Sequence, residues 1–103
     1  MTLAFPKPRR LESKSYLKWI RLQPCLIHHP RQGRLPVVMM TAHHSIAKGA
    51  RGSDYRAVPL CFECHRELHQ IGAITFAKKH DVNFESEIVR LLEIYVAELE
   101  ARA

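Results

Sequence analysis

Three cysteines and seven histidines stand out among the 103 residues as side chains able to do chemistry. Their spacing sorts most of them into two groups. Cys25-Leu-Ile-His28 and Cys61-Phe-Glu-Cys64 are ligand pairs of Cys-x-x-His and Cys-x-x-Cys form, a spacing that lets both side chains of a tight turn reach one tetrahedral ion. Thiolate and imidazole are the ligands zinc prefers, and four of them leave no open position, so the expected ion is a structural zinc that contributes to folding. His29 competes with His28 for the fourth place. An odd number of cysteines beside so many histidines argues for metal ligation in a reducing compartment over a disulfide framework, and the expected location is the cytoplasm.

The second group is His43-His44 followed by His65-Arg-Glu-Leu-His69. His65 and His69 are four apart, so on a helix they share one face and can grip a single ion. Two rival zinc motifs fail on spacing. A metalloprotease helix carries Glu directly after its first His, where this chain has Arg66, and a two-Cys, two-His finger needs about a dozen residues between Cys64 and His65, which are adjacent.

These residues need elements to hold them. Ser13 is a helix cap, Tyr16, Leu17 and Ile20 share the face that follows, and Pro24 stops the helix. Residues 25–36 are rich in turn formers, and Val37–Ala42 is a short apolar run that reads as a buried strand delivering His43-His44. Residues 45–55, with Gly49 and Gly52, read as a loop, and Tyr55–Leu60 as a second strand whose Pro59 marks its end or an edge. Cys61 then opens a helix over Phe62–Ile71, stopped by Gly72, and a short helix over Ile74–Lys79 follows. Asn83 caps a longer one, in which Ile88, Leu91, Leu92, Tyr95, Val96 and Leu99 form a stripe. That stripe either packs on the domain or makes a dimer seam. His80 reads as a plain residue near a helix end.

The length makes room for one domain of α+β class, and a domain this small gains from a metal staple. No run approaches the ~18 apolar residues of a membrane span, and the first ten residues lack the apolar core of a signal peptide. Net charge is +6, split into +9 over residues 1–60 and −3 over residues 61–103. A basic half of that strength suits a phosphate backbone. Residues 1–11, with Lys7, Arg9 and Arg10, read as an extended basic arm, and Lys48, Arg51 and Arg56 are further candidates for holding phosphates.

Taken together, the Cys-x-x-His pair, the His-His pair, a glycine-containing loop and Pro59-Leu-Cys-Phe-Glu-Cys-His-Arg-Glu-Leu-His69 resemble the HNH, or ββα-metal, endonucleases, especially the short phage and prophage members. The likeness runs from about Tyr16 to Gly72. It implies a ββα-metal core with a zinc knuckle over residues 16–72, flanked by an N-terminal helix and by a C-terminal helical extension over 73–103, the nuclease domain as a whole being residues 12–103. It also implies roles: His43, His65 and His69 hold a catalytic divalent cation, and His44 is the general base that takes a proton from the attacking water. The implied ion is Mg²⁺ or Mn²⁺, with Ni²⁺ or Zn²⁺ open given the imidazole ligands, the substrate DNA, and the products 5′-phosphate and 3′-hydroxyl ends. A recombinase or another phage protein is an implied partner.

One departure is plain. The only asparagine, Asn83, lies beyond the site, and Asp54 or Arg56 stands where the motif expects its middle letter. How the His44 ring is oriented is left open, a backbone carbonyl being one answer. The rival function is therefore a zinc-stabilised module that binds nucleic acid, or assists recombination, without cutting.

Overall fold

Proline, glycine and polar caps cut the chain into short elements that must pack on one another to be stable. A computed structural model of the chain describes residues 11–28, 40–44 and 52–103. In order these form helix α1 (Lys14–Arg21), strand β1 (Met40–His44), strand β2 (Ala57–Cys61), and helices α2 (Phe62–Ile71), α3 (Ala73–His80) and α4 (Phe84–Arg102). This is an α+β arrangement, four helices with a two-stranded antiparallel sheet. The arm with Lys7, Arg9 and Arg10, the alternative zinc ligand His29, residues 37–39 of the first expected strand, and the loop residues Lys48 and Arg51 lie outside the described residues.

Helix α1 starts where Ser13 predicts, its hydroxyl accepting the Tyr16 amide proton at 3.1 Å. It buries Tyr16, Leu17 and Ile20, and Trp19 joins them. The strands differ from expectation at their ends. β1 runs through His44, so the histidine pair lies within the strand and not after it. β2 begins at Ala57 because Ser53 captures the preceding residues in a 3-10 turn over Asp54–Arg56: its hydroxyl accepts from the Tyr55 amide at 3.0 Å and its carbonyl from Arg56 at 3.1 Å. Such local side-chain bonds compete with a strand ladder.

Pro59 sits in the middle of β2 opposite Ala42, so of the two readings it marks an edge, both strands of a two-stranded sheet being edges, and not the strand's end. Its carbonyl accepts from the Leu26 amide at 3.1 Å, away from β1, so at this ladder position the missing N–H costs nothing. Every residue of β2 is buried. The strand runs through a core in which Tyr16 and Ile20 of α1, Leu68 of α2, Phe76 of α3 and Ile88 and Leu91 of α4 meet Val58 and Leu60.

Gly72, at φ 88°, ends α2 and begins α3, a backbone that a side chain would strain. The two helices are tied by Glu67, which lies 2.6 Å from Lys79 Nζ and 2.5 Å from His80 Nε2. His80, expected to be a plain residue near a helix end, thus closes α3 within an ion pair that holds Glu67 below the usual carboxylate range, through hydrogen bonds first from Lys79 and then from His80.

Asn83 caps α4 as expected, accepting from the Ser86 amide at 3.1 Å. The apolar stripe of α4 divides: Ile88 and Leu91 are buried, Leu92 and Tyr95 partly so, and Val96 and Leu99 are exposed. Packing on the domain accounts for its first half. The second half is steadied from one side, where the Trp19 indole N–H donates to Glu98 at 2.6 Å and the Tyr95 ring packs on Tyr16 and Trp19. Among the described residues, no helix is long and apolar enough to cross a membrane.

Candidate functional site

The two ligand pairs converge. Cys25 follows α1, His28 lies in the turn after it, Cys61 ends β2 and Cys64 is in the first turn of α2, yet one ligand atom from each lies within 4.8 Å of every other. The Cys61 and Cys64 sulfurs stand 3.3 Å and 3.6 Å from His28 Nδ1. Zinc–sulfur and zinc–nitrogen bonds of about 2.3 Å and 2.0 Å at a tetrahedral angle put such atoms roughly 3.5 Å apart. The donor set and its spacing fit, and this cluster could hold a zinc ion through Nδ1 of His28. Burial, then the Cys61 and Cys25 sulfurs, push the Cys64 thiol far above its ordinary pKa. A dication on these sulfurs reverses that balance, because it favours the thiolates.

The second cluster lies across β1 and α2. Successive side chains of a strand leave opposite faces. Thr41 and His43 therefore share a face, and it is the face that meets His65: Thr41 Oγ1 lies 2.7 Å from His65 Nδ1, and His43 Nδ1 lies 3.3 Å from His65 Nε2. One helical turn on, the His69 ring packs 4.7 Å from His65 and 5.7 Å from His43. A ring nitrogen from each of His43, His65 and His69 falls within a 4.8 Å set. Burial lowers the His43 pKa from 6.5 to about 4, helped by His65, His69 and His44, and burial followed by His69 and His44 lowers that of His65. Neutral imidazoles keep their lone pairs at neutral pH, as a cation site requires.

His44 leaves β1 toward the 3-10 turn. Its Nε2 lies 2.8 Å from Oδ1 of Asp54, which is 3% exposed, and Asp54 Oδ2 accepts the Ser13 amide proton at 2.9 Å. Among the described residues, a carboxylate thus holds the His44 ring at Nε2. His44 remains close enough to the triad for its charge to depress both His43 and His65.

Of the residues singled out from the sequence, Cys25, His28, Cys61 and Cys64 come together, as do His43, His65 and His69, with His44 beside them. Arg56, expected to be available for phosphate, is ion-paired with Glu85 of α4. Two contributors escaped the sequence reading. Thr41 braces His65, and period-two alternation from His43 was the available signal for it. Phe84 at the start of α4 faces the His43 ring at 6.2 Å and stacks on Phe76 at the same separation; nothing local in the sequence announces that contact.

Comparison with known proteins adds kinship without a function. The chain is 26% identical over 91 residues to the uncharacterized protein YdfU of Escherichia coli strain K12, an alignment covering 81% of this chain and 23% of that protein. It thus spans about a quarter of the length of this relative. No solved structure matches the chain. A family model covers residues 1–95, and on that match the protein belongs to the family described as "Protein of unknown function (DUF968)".

Proposed function

We propose that the protein is a metal-dependent endonuclease of the HNH type that hydrolyses DNA phosphodiester bonds around a zinc-stapled ββα-metal core. One observation carries the reading: a set of three imidazoles able to hold a cation lies beside a fourth, His44, whose Nε2 faces a buried carboxylate. The order of strand, strand and helix over β1, β2 and α2, with ligands from β1 and α2, supports it. So does the +9 charge of residues 1–60, suited to a phosphate backbone.

The residues divide the work by their chemistry. Cys25, His28, Cys61 and Cys64 would hold the structural zinc, pinning the start of α2 to the turn after α1. His43, His65 and His69 would hold the second cation, which supplies stabilisation of the charge that develops on the phosphate and on the departing 3′-oxygen. Three nitrogen donors suit Mn²⁺, Ni²⁺ or Zn²⁺ better than Mg²⁺, which prefers oxygen. His44 Nδ1 accepts a proton from water as the water oxygen bonds to phosphorus. The bond from phosphorus to the 3′-oxygen breaks, and that oxygen takes a proton from solvent. The products are a 5′-phosphate and a 3′-hydroxyl.

The test is nicking of supercoiled plasmid by the zinc-loaded full chain with Mn²⁺, Ni²⁺, Zn²⁺ or Mg²⁺ added. Nicking is expected, and His44→Ala should slow it by about 10²- to 10⁴-fold, the contribution of a general base. Cleavage that survives His44→Ala removes this mechanism. DNA binding with no cleavage under any of these ions points instead to a docking module.

A further inference from the structure

We infer that Asp54 sets the tautomer of His44, and that asparagine cannot do the same at this position. The inference rests on the reading of His44 as the base, and it names the residue that readies it. Asp54 is buried at the junction of three elements: it begins the 3-10 turn, its Oδ1 faces His44 Nε2 at 2.8 Å on β1, and its Oδ2 accepts from the Ser13 amide at 2.9 Å at the head of α1. An ionised carboxylate can only accept hydrogen bonds. The imidazole nitrogen facing it must therefore carry the proton. In the neutral ring the lone pair then resides on Nδ1, the atom that has to take a proton from water.

An amide breaks this arrangement by simple donor counting. Asparagine offers one oxygen and one NH₂ where aspartate offers two oxygens. The Ser13 backbone N–H can only donate, so it claims the amide oxygen, and the NH₂ is left facing His44 Nε2. That contact is satisfied only if Nε2 is the acceptor and the proton has moved to Nδ1. The ring stays in place, but the atom offered to water becomes a donor. Asp54 is thus a positioning residue that acts through His44. The same carboxylate fastens the N-terminus of α1 to the site, so its two oxygens serve fold and chemistry together.

The experiment reads the tautomer directly. Long-range nitrogen–proton correlation spectra of the zinc-loaded full chain, taken at mildly alkaline pH, distinguish protonated from unprotonated ring nitrogens, and a His44→Gln spectrum assigns the His44 signals. The wild-type protein should show His44 with Nε2 protonated and Nδ1 bare. Asp54→Asn should interchange the two while the amide spectrum stays folded, and nicking should fall by about 10²- to 10⁴-fold, the size of a lost general base. A wild-type His44 protonated on Nδ1 overturns the inference, as does an Asp54→Asn protein that keeps the wild-type tautomer. Should Asp54→Asn not fold, the wild-type spectrum alone still decides. A wild-type protein with the expected tautomer that cuts no DNA upholds the role of Asp54 and overturns the nuclease reading, so the two fail separately.

Discussion

Thr41 Oγ1 lies 2.7 Å from His65 Nδ1 and donates its proton to the Leu60 carbonyl, also at 2.7 Å. A hydroxyl has one proton to give. With that proton spent on Leu60, Thr41 accepts from His65, so Nδ1 carries the hydrogen and Nε2 keeps its lone pair. Nε2 is the atom that faces His43 at 3.3 Å, inside the triad. A strand residue thus fixes which nitrogen of a helix residue is available to a cation.

Removing that brace should weaken ion binding without disturbing the zinc knuckle. Thr41→Val keeps the shape and the β-branched fit of the strand but loses the acceptor, and affinity for Mn²⁺ or Ni²⁺ should fall by about 10- to 100-fold, as for other partners that orient a metal-binding histidine. Thr41→Ser should retain most of it. Titration calorimetry of the zinc-loaded proteins measures all three, and equal affinities for wild type and Thr41→Val would refute the brace.

The staple itself can be tested by removing one ligand. Cys61 closes β2 and caps α2, and its sulfur is part of the four-residue cluster. If the zinc contributes to folding, Cys61→Ser should yield a chain without bound zinc and without a cooperative thermal transition, and a strong chelator should unfold the wild type in the same way. Circular dichroism with metal analysis of the purified protein checks both. A Cys61→Ser protein that melts cooperatively near the wild-type temperature would remove the zinc assignment.

Acid should act through His43. Its pKa falls from 6.5 to about 4 on folding, because burial penalises the charged ring and the neighbouring His65, His69 and His44 add to that penalty. Between those values the unfolded chain binds the proton and the folded chain does not. The stability present above pH 6.5 is therefore lost progressively as the pH falls toward 4. The urea midpoint of the zinc-loaded wild type should drop from pH 7 to about 5.5, and His43→Gln should drop less, leaving the part that His65 contributes through its own lowered pKa. Identical slopes for the two proteins would argue that His43 is not buried neutral.

These residues also show what was legible beforehand. The Cys-x-x-His and Cys-x-x-Cys pairs could be read because the ligands of each half are local, and His65 and His69 because a helix makes neighbours of residues four apart. The helix caps Ser13 and Asn83 were readable for the same reason, each bonding an amide three residues on. Asp54 was visible only as a residue in the right region. His44 and Ser13, which it meets, lie 10 and 41 positions away, and a carboxylate that reaches them through tertiary structure leaves no local pattern. The start of β2 was misplaced because the Ser53 hydroxyl outweighed the strand preference of Tyr55, a contest that side-chain alternation does not report. Arg56 read as a candidate phosphate contact, and its ion pair with Glu85, 29 residues on across the fold, leaves no local signal in the sequence.

Tyr16 provides a test of the core with the opposite sign. Its ring is 0% exposed, packed 5.0 Å from Tyr55 and 4.8 Å from Tyr95, and its hydroxyl has no hydrogen-bond partner among the described residues. Burial raises its pKa to about 12, with smaller contributions from Tyr95 and Tyr55. A buried hydroxyl without a partner has lost its water and gained nothing in return, at a cost of about 1–3 kcal/mol. Tyr16→Phe retains every ring contact and deletes only that group. The variant should be more stable than wild type by about 1 kcal/mol, the lower end of that range, seen as a higher urea midpoint at unchanged slope. A lower midpoint would show that the hydroxyl is satisfied and would refute the orphaned group.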